Sequence, residues 1–401
     1  MQGKADMRLL HVLPWGQLSS GGPIEGVRQV CPFIFQLGHH VEVVVVESPD
    51  AVDVGDLGAP VHALGPAHLR HRYCPRLKPW LTEHRAEYDA IIVNGIWTYP
   101  GWAVHQVATK FNIPYFVFTH GMLDPWFNRA YPLKRIKKML YWPWQHAVLR
   151  DAKAVLFTTE EERLLARQSF KPYNVTERVV PYGTAWPPAF EEGQQKAFYG
   201  QVPEAKQRRM LLFLGRIHPK KGVDVLIRAF AKVFGEKNEW VLVIAGPDPD
   251  GMVGKLKVLA SGLGVADRVF WPGMLRGDAK WGAFRTADAF VLPSHQENFG
   301  ISVAEAAGCG TPVLISNKVN IWREIEAMEA GIVAADTVEG TVESLLKFDR
   351  MSPAQLDTMG RQAVKCFGDH FESSKMARGM LDVVTELAVQ QQEAVRTPVS
   401  A

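Results

Sequence analysis

Two glutamates eight positions apart, Glu297 and Glu305, sit in the run LPSHQENFGISVAEAAG over residues 292–308. Ordinary glutamate usage gives such a pair about once by chance in a chain this long, so the spacing says little without its surroundings. The surroundings are specific. An apolar run ends at Leu292, Pro293 starts a turn, and Gly300 lets the backbone adopt unusual angles close to a ligand. A helix is expected to open near Ser302 as N-cap, with Glu305 three residues on at capping-box spacing. The plain role of Glu305 is then to cap that helix. The functional role uses the same geometry. Backbone amides of Asn298, Phe299, Gly300 and Ile301 at a helix N-terminus can hold a phosphate or sugar oxygen. The flanking carboxylates can accept hydrogen bonds from sugar hydroxyls.

A second loop, GRIHPKKG over residues 215–222, follows the apolar run Met210–Leu214. The C-terminal edge of an open α/β sheet is where ligands bind. Arg216 and Lys221 bring two positive charges to that edge, as a leaving diphosphate requires when a sugar bond breaks. Each charge-assisted hydrogen bond is worth about 1.5–3 kcal/mol. A solvated basic turn is the competing reading. Gly21 and Gly22, in SSGGP after the first apolar run, would let backbone amides approach a ligand ahead of a helix. A flexible turn fits them equally well. His120 ends the run Tyr115–Phe118 in HGMLDPW, again at a strand's C-terminal edge. Asp248 and Asp250 form the D-x-D pattern that binds a metal diphosphate elsewhere, but they stand in a Pro/Gly turn. No metal and no cofactor is expected.

From Pro125 to Arg150 there is no acidic residue, while Arg129, Lys134, Arg135, Lys137, Lys138 and Arg150 accompany Tyr141, Trp142 and Trp144. This is either a solvated helix face or a patch for an anionic membrane surface. Trp97, Trp102, Trp126, Trp142 and Trp144 suit a saccharide or lipid-linked acceptor, or a packed core.

Elements must position these groups. Ten short apolar runs do not alternate with polar residues: Leu9–Leu13, Val41–Val46, Ala90–Val93, Tyr115–Phe118 and Ala154–Phe157, then Met210–Leu214, Val241–Ala245, Val269–Trp271, Ala289–Leu292 and Val313–Ile315. Strands buried on both faces of a parallel sheet read this way, and the gaps suit crossover helices. The fold class is α/β, with two Rossmann-like, doubly wound parallel-sheet domains facing a cleft. The expected divisions are an N-terminal acceptor domain over 1–185, a linker over 186–209, a donor domain over 210–372, and a C-terminal helix with a frayed tail over 373–401.

The 401 residues carry 45 basic and 42 acidic side chains, a net charge of +3, which gives no support to nucleic-acid binding. Cys31, Cys74, Cys309 and Cys366 lie far apart, without zinc or disulfide spacing, so a reduced cytoplasmic protein is expected. No run reaches the ~18 apolar residues of a membrane span, and the start lacks a secretion signal, so membrane contact would be peripheral.

Together these pieces resemble the retaining glycosyltransferases of family 4, the group 1 transferases with the GT-B fold. The E-x7-E motif matches at Glu297 and Glu305, the GRxxxxKG stretch at 215–222, the paired glycines at Gly21 and Gly22, and GHHVEVV at 38–44. HGMLDPW is similar to bacterial members that build exopolysaccharide, capsule or O-antigen. The resemblance implies that Arg216 and Lys221 neutralise the diphosphate of a UDP- or GDP-linked sugar. It implies that Glu305 binds the ribose, that Glu297 with residues 298–301 grips the sugar, that Gly22 lies near the diphosphate, and that His120 contacts the sugar at the reacting centre. It further implies metal-independent transfer of a hexose to a lipid-linked saccharide, with residues 373–392 crossing back onto the N-terminal domain. Asn94, in VNGIW, departs from the histidine many relatives carry. Other readings are a non-catalytic nucleotide-sugar scaffold, and an epimerase or phosphorylase on the same fold. A nicotinamide oxidoreductase is disfavoured because the first turn lacks G-x-G-x-x-G.

Overall fold

The computed structural model describes residues 6–17, 22–51 and 57–396. It divides into two compact units, the first formed by the chain up to Gly183 and from Ser373 onward, the second by Thr184–Glu372. In the first unit the strands are β1 (Arg8–Leu13), β2 (His40–Val45), β3 (Val61–Ala63), β4 (Ala90–Asn94), β5 (Tyr115–Phe118), β6 (Ala154–Phe157) and β7 (Glu177–Val179). They form one seven-stranded sheet in the order β3-β2-β1-β4-β5-β6-β7. The second unit holds β8 (Arg209–Leu214), β9 (Trp240–Ala245), β10 (Val269–Gly273), β11 (Ala289–Leu292), β12 (Val313–Ser316) and β13 (Gly331–Ala334), in the six-stranded order β10-β9-β8-β11-β12-β13. All ladders between these strands are parallel. The expected doubly wound α/β architecture is present in each unit.

The ten apolar runs became the ten strands they resembled. Every residue of β4, β5, β6, β9, β11 and β12 is buried. The strands the sequence did not announce are β3, β7 and β13. All three are sheet edges; β3 and β7 have half-buried side chains and no continuous apolar run, whereas β13 lies in the apolar run 330–335, which the sequence reading passed over.

Residues 186–209 are not a free connection. Helix Glu192–Gln201 packs on helix Gly277–Thr286 of the second unit. Phe198 is fully buried there, and the Gln194 carbonyl occupies the space a side chain at Gly282 would need. The polar composition of the segment reflects its outer face. The chain leaves the first unit after Gly183 and re-enters it at Ser373. Next to these crossings the Thr184 amide donates to the Phe371 carbonyl at 2.8 Å.

Helix Ser373–Arg396 returns to pack on helix Gly22–Gln36 of the first unit. Its stripe of Met376, Ala377, Met380, Leu381, Val384 and Ala388 is buried. The expected amphipathic helix therefore has a partner for its apolar face. No helix among the described residues is long and apolar enough to cross a membrane.

Candidate active site

In the second unit two loops meet at the C-terminal ends of β8 and β11. Gly222 has φ +65°, and a Cβ there would stand 2.2 Å from the Pro293 carbonyl oxygen, so the 215–222 turn lies directly against the start of the 293–300 loop. The contact is sealed by His295 N–H donating to the Lys220 carbonyl at 2.7 Å and by Lys220 Nζ donating to Gln296 Oε1 at 3.2 Å. The 293–300 loop is pinned from its other side. Glu297 N–H donates to the Lys318 carbonyl, and Asn320 N–H donates to the Glu297 carbonyl, each at 3.0 Å.

This arrangement brings Lys221 and Glu297, 76 positions apart in the chain, into an ion pair. Burial pushes the Lys221 ammonium down, as do the charges of Lys220 and Arg216; the contacting Glu297 carboxylate works the other way. Arg216 is exposed. A second pair stands nearby in sequence: Lys280 Nζ contacts Glu305 Oε1 at 2.6 Å, and Glu305 is buried.

Helix Ile301–Gly308 begins differently from the expectation. Its N-cap is Gly300, at φ +85°, with no side-chain cap; Ser302 lies inside the first turn. Glu305 is therefore not the partner of a Ser302 capping box, and its carboxylate is given to Lys280 instead. Phe299 is buried and meets Phe371 edge-on at 5.7 Å, so at this position only the backbone is available to a ligand. Asp248 accepts from Met252 N–H at 2.7 Å and from Val253 N–H at 2.9 Å, so both carboxylate oxygens are held in the turn ahead of helix Val253–Gly262, whose N-cap is Met252.

The first unit holds the other candidates. Sheet register carries His11, Asn94 and the residues after Phe118 to one C-terminal edge, with His11 opposite Ile92 and Asn94 opposite Phe118. His120 stands just beyond β5 with φ +47°, a backbone conformation costly for a residue with a Cβ. Its ring stacks on Phe118 at 5.3 Å and meets Tyr182 edge-on at 6.0 Å. Tyr182 Oη donates to the Gly22 carbonyl at 2.6 Å, which fixes the start of helix Gly22–Gln36. Gly21 lies outside the described residues. Burial, reinforced by the charge of a protonated His11, pushes His120 down to about 3, and burial pushes His11 down to about 4. Both imidazoles are neutral at physiological pH.

The positive-φ turn at His120 is held by a residue the sequence reading passed over. Glu162 is buried, and Oε1 accepts from Thr119 Oγ1 at 2.6 Å and from Gly121 N–H at 2.5 Å. Its Oε2 accepts from Thr158 N–H and Oγ1, both at 2.7 Å. A trace was legible: Thr159 caps helix Glu160–Ala166 and stands three residues before Glu162.

Helix Pro132–Arg150 carries the acid-free stretch. One face, with Trp142, Gln145, His146, Val148 and Leu149, is buried. Trp142 stacks on Phe170 at 5.0 Å and lies 5.9 Å from Trp97, so this part of the aromatic set is core. Lys138 lies over Trp97 and Arg150 pairs with Asp151, so neither adds a free outward charge. The opposite face exposes Leu133, Ile136, Leu140, Tyr141 and Trp144, with Lys134, Arg135 and Lys137 among them.

Residues 21–183 match the family model described as glycosyl transferase 4-like domain, and residues 194–362 match glycosyl transferases group 1. A D-inositol 3-phosphate glycosyltransferase of Rhodococcus opacus is 28% identical over 243 residues, covering 59% of this chain and 54% of the relative. The enzyme of the same name from Actinosynnema mirum is 40% identical over 131 residues, 31% of each chain. The chain thus spans about half the length of the first of these relatives, and less of the second. Among solved structures, Anabaena Alr3699/HepE in complex with UDP and glucose superposes with a TM-score of 0.75 at 16% identity, covering 95% of this chain and 100% of that one. WaaG, described as a glycosyltransferase involved in lipopolysaccharide biosynthesis, superposes at 0.65 with 19% identity, covering 94% and 99%. The fold is that of the GT-B glycosyltransferases, and the chain carries a glycosyl transferase 4-like domain followed by a glycosyl transferases group 1 domain.

Proposed function

We propose that the protein is a retaining glycosyltransferase that moves a hexose from a nucleotide diphosphate to a hydroxyl of a saccharide acceptor, without a metal ion. The observation that carries this reading is the Lys221–Glu297 pair at the C-terminal edge of the second sheet, beside the exposed Arg216. In the reaction the bond between the anomeric carbon and the diphosphate oxygen breaks while the acceptor oxygen bonds to the same face. The acceptor's proton passes to the leaving phosphate. Arg216 and Lys221 stabilise the charge on that phosphate. Glu305 takes the ribose hydroxyls. Glu297 and the amides of residues 298–301 hold the sugar. His120 meets the sugar at the reacting centre, and Gly22 lies near the diphosphate. The engagement of both Asp248 oxygens by backbone N–H groups supports the reading of D-x-D as a turn rather than a metal site.

A uridine donor is favoured by the HepE complex, and a guanosine donor is the alternative. The outward face of helix Pro132–Arg150 supports peripheral attachment to an anionic membrane from the cytoplasmic side and a lipid-linked acceptor, as surface polysaccharide assembly would require. The curated relatives' name favours a second acceptor, a soluble inositol phosphate.

The test is a thermal-shift and donor-hydrolysis screen against UDP-, GDP-, ADP- and dTDP-sugars in EDTA. The expected result is stabilisation by one nucleotide and slow release of it from the matching donor. Transfer is then assayed with lipid-linked saccharide and with inositol 3-phosphate, and the anomeric configuration of the product is read by NMR. No shift with any nucleotide at millimolar concentration overturns the transferase reading; an inverted product overturns retention.

A further inference from the structure

A buried carboxamide links two neutral histidines at the sheet edge of the first unit. Asn94 is 3% exposed. Its Nδ2 lies 3.3 Å from the Ile92 carbonyl oxygen and 3.1 Å from His11 Nδ1. Its Oδ1 lies 3.2 Å from His120 Nε2. A carbonyl oxygen only accepts, so the Ile92 contact fixes which end of the amide carries hydrogen. The other end is then an oxygen facing His120, and His120 Nε2 must be the donor. A neutral imidazole has one N–H, so the lone pair of His120 is on Nδ1.

We propose that Asn94 is a positioning residue: it locks His120 as the Nε2–H tautomer and so leaves Nδ1 as a hydrogen-bond acceptor for a substrate hydroxyl. This deepens the transferase reading and rests on it for the identity of the hydroxyl, which would belong to the donor sugar or the acceptor. His11 completes the relay. Its Nδ1 accepts from Asn94, its own proton is therefore on Nε2, and that buried nitrogen meets no acceptor among the described residues. Protonating His11 would add charge with nothing to receive it, and burial holds it neutral. The other titratable groups around His120 are Tyr182, kept protonated by burial, and Glu162, which engages Thr119 and Gly121. None of these competes for His120 Nε2. The departure at position 94 thus has a chemical content: a carboxamide fixes a proton that a titratable side chain would let move.

The test is ring-nitrogen NMR on 15N-histidine protein, with the His120 signals identified among the 13 histidines by their loss in His120→Gln. The expected wild-type pattern is a neutral ring protonated at Nε2 from pH 8 down to pH 5. Asn94→Asp places a carboxylate against Nε2 and is expected to raise the His120 titration into the physiological range. It should also lower kcat by about tenfold, the worth of one hydrogen bond near 1.4 kcal/mol, with little change in KM for the donor. A wild-type ring protonated at Nδ1, or an imidazolium at neutral pH, overturns the proposal with no variant needed. If the spectra behave as expected but kcat in both Asn94→Asp and His120→Gln matches the wild type, the tautomer stands and the positioning role falls. Absence of donor turnover in the wild type would instead count against the transferase reading.

Discussion

Lys221 and Glu297 are paired to each other, although the family resemblance gives them different parts of the donor. A half-buried ion pair restrains both side chains, and removing one leaves the other uncompensated. On the proposed reading, a donor diphosphate at Lys221 would compete with the Glu297 carboxylate and leave Glu297 to accept from sugar hydroxyls. The pair thus fixes the two side chains against each other at the edge of the second sheet. Lys221→Ala is expected to lower kcat for donor turnover by about 100-fold. Steady-state assays with the nucleotide sugar selected by the donor screen check this; unchanged kcat removes Lys221 from the reacting phosphate.

Glu162 tests whether the His120 turn is built from below. Its carboxylate accepts four hydrogen bonds from Thr119, Gly121 and Thr158. Glu162→Gln turns one acceptor oxygen into a donor facing donors. The expected loss is about 2–3 kcal/mol of stability, read as a lower urea midpoint at unchanged slope. A midpoint equal to the wild type would show that the turn does not depend on the carboxylate.

Acid should weaken the protein through its buried histidines. His11 falls from the ordinary 6.5 to about 4 in the folded chain, and His120 to about 3. The unfolded chain thus binds more protons than the folded chain below pH 6.5, so stability is full above that value and declines as pH falls toward 4. His11 alone contributes a slope of about 1.4 kcal/mol per pH unit in that window. Urea denaturation at pH 7.5 and pH 5 measures it. His11→Phe is expected to flatten the difference; an equal slope in the variant would assign it to other groups.

The outward face of helix Pro132–Arg150 predicts binding to vesicles that contain phosphatidylglycerol and weak binding to pure phosphatidylcholine. Leu140 is 70% and Trp144 56% exposed, with Lys134, Arg135 and Lys137 beside them. Leu140→Ser with Trp144→Ser should weaken sedimentation with anionic vesicles by about tenfold or more, and added salt should weaken the wild type. Binding that ignores lipid charge, or a concentration-dependent dimer lost in the same variant, would assign this face to another partner.

Much of this molecule was legible from its apolar runs, because a strand buried on both faces leaves no polar gap to hide it. β5, β6 and β11 could be read to the residue. Edge strands such as β7 could not, since their side chains are half in water. Motif residues were legible as types in order, but their partners were not. Glu305 at capping spacing from Ser302 looked like a helix cap, yet the helix starts at Gly300 and Lys280 takes the carboxylate. Nothing local in the sequence couples positions 25 apart. Asn94 was visible only as a departure from a pattern, because its meaning lies in register with β1 and β5.

The return of helix Ser373–Arg396 to the first unit sets an order on biosynthesis. Helix Gly22–Gln36 leaves the ribosome early, but the residues that cover it, Met376 to Val384, are translated only after the whole second unit. The second unit is contiguous and can close as soon as it emerges. The first must wait, with an apolar flank open to chaperones or to neighbouring chains, until the last helix arrives. A chain ending just before residue 373 should therefore hold a folded second unit and an incomplete first one, the reverse of their order in the gene.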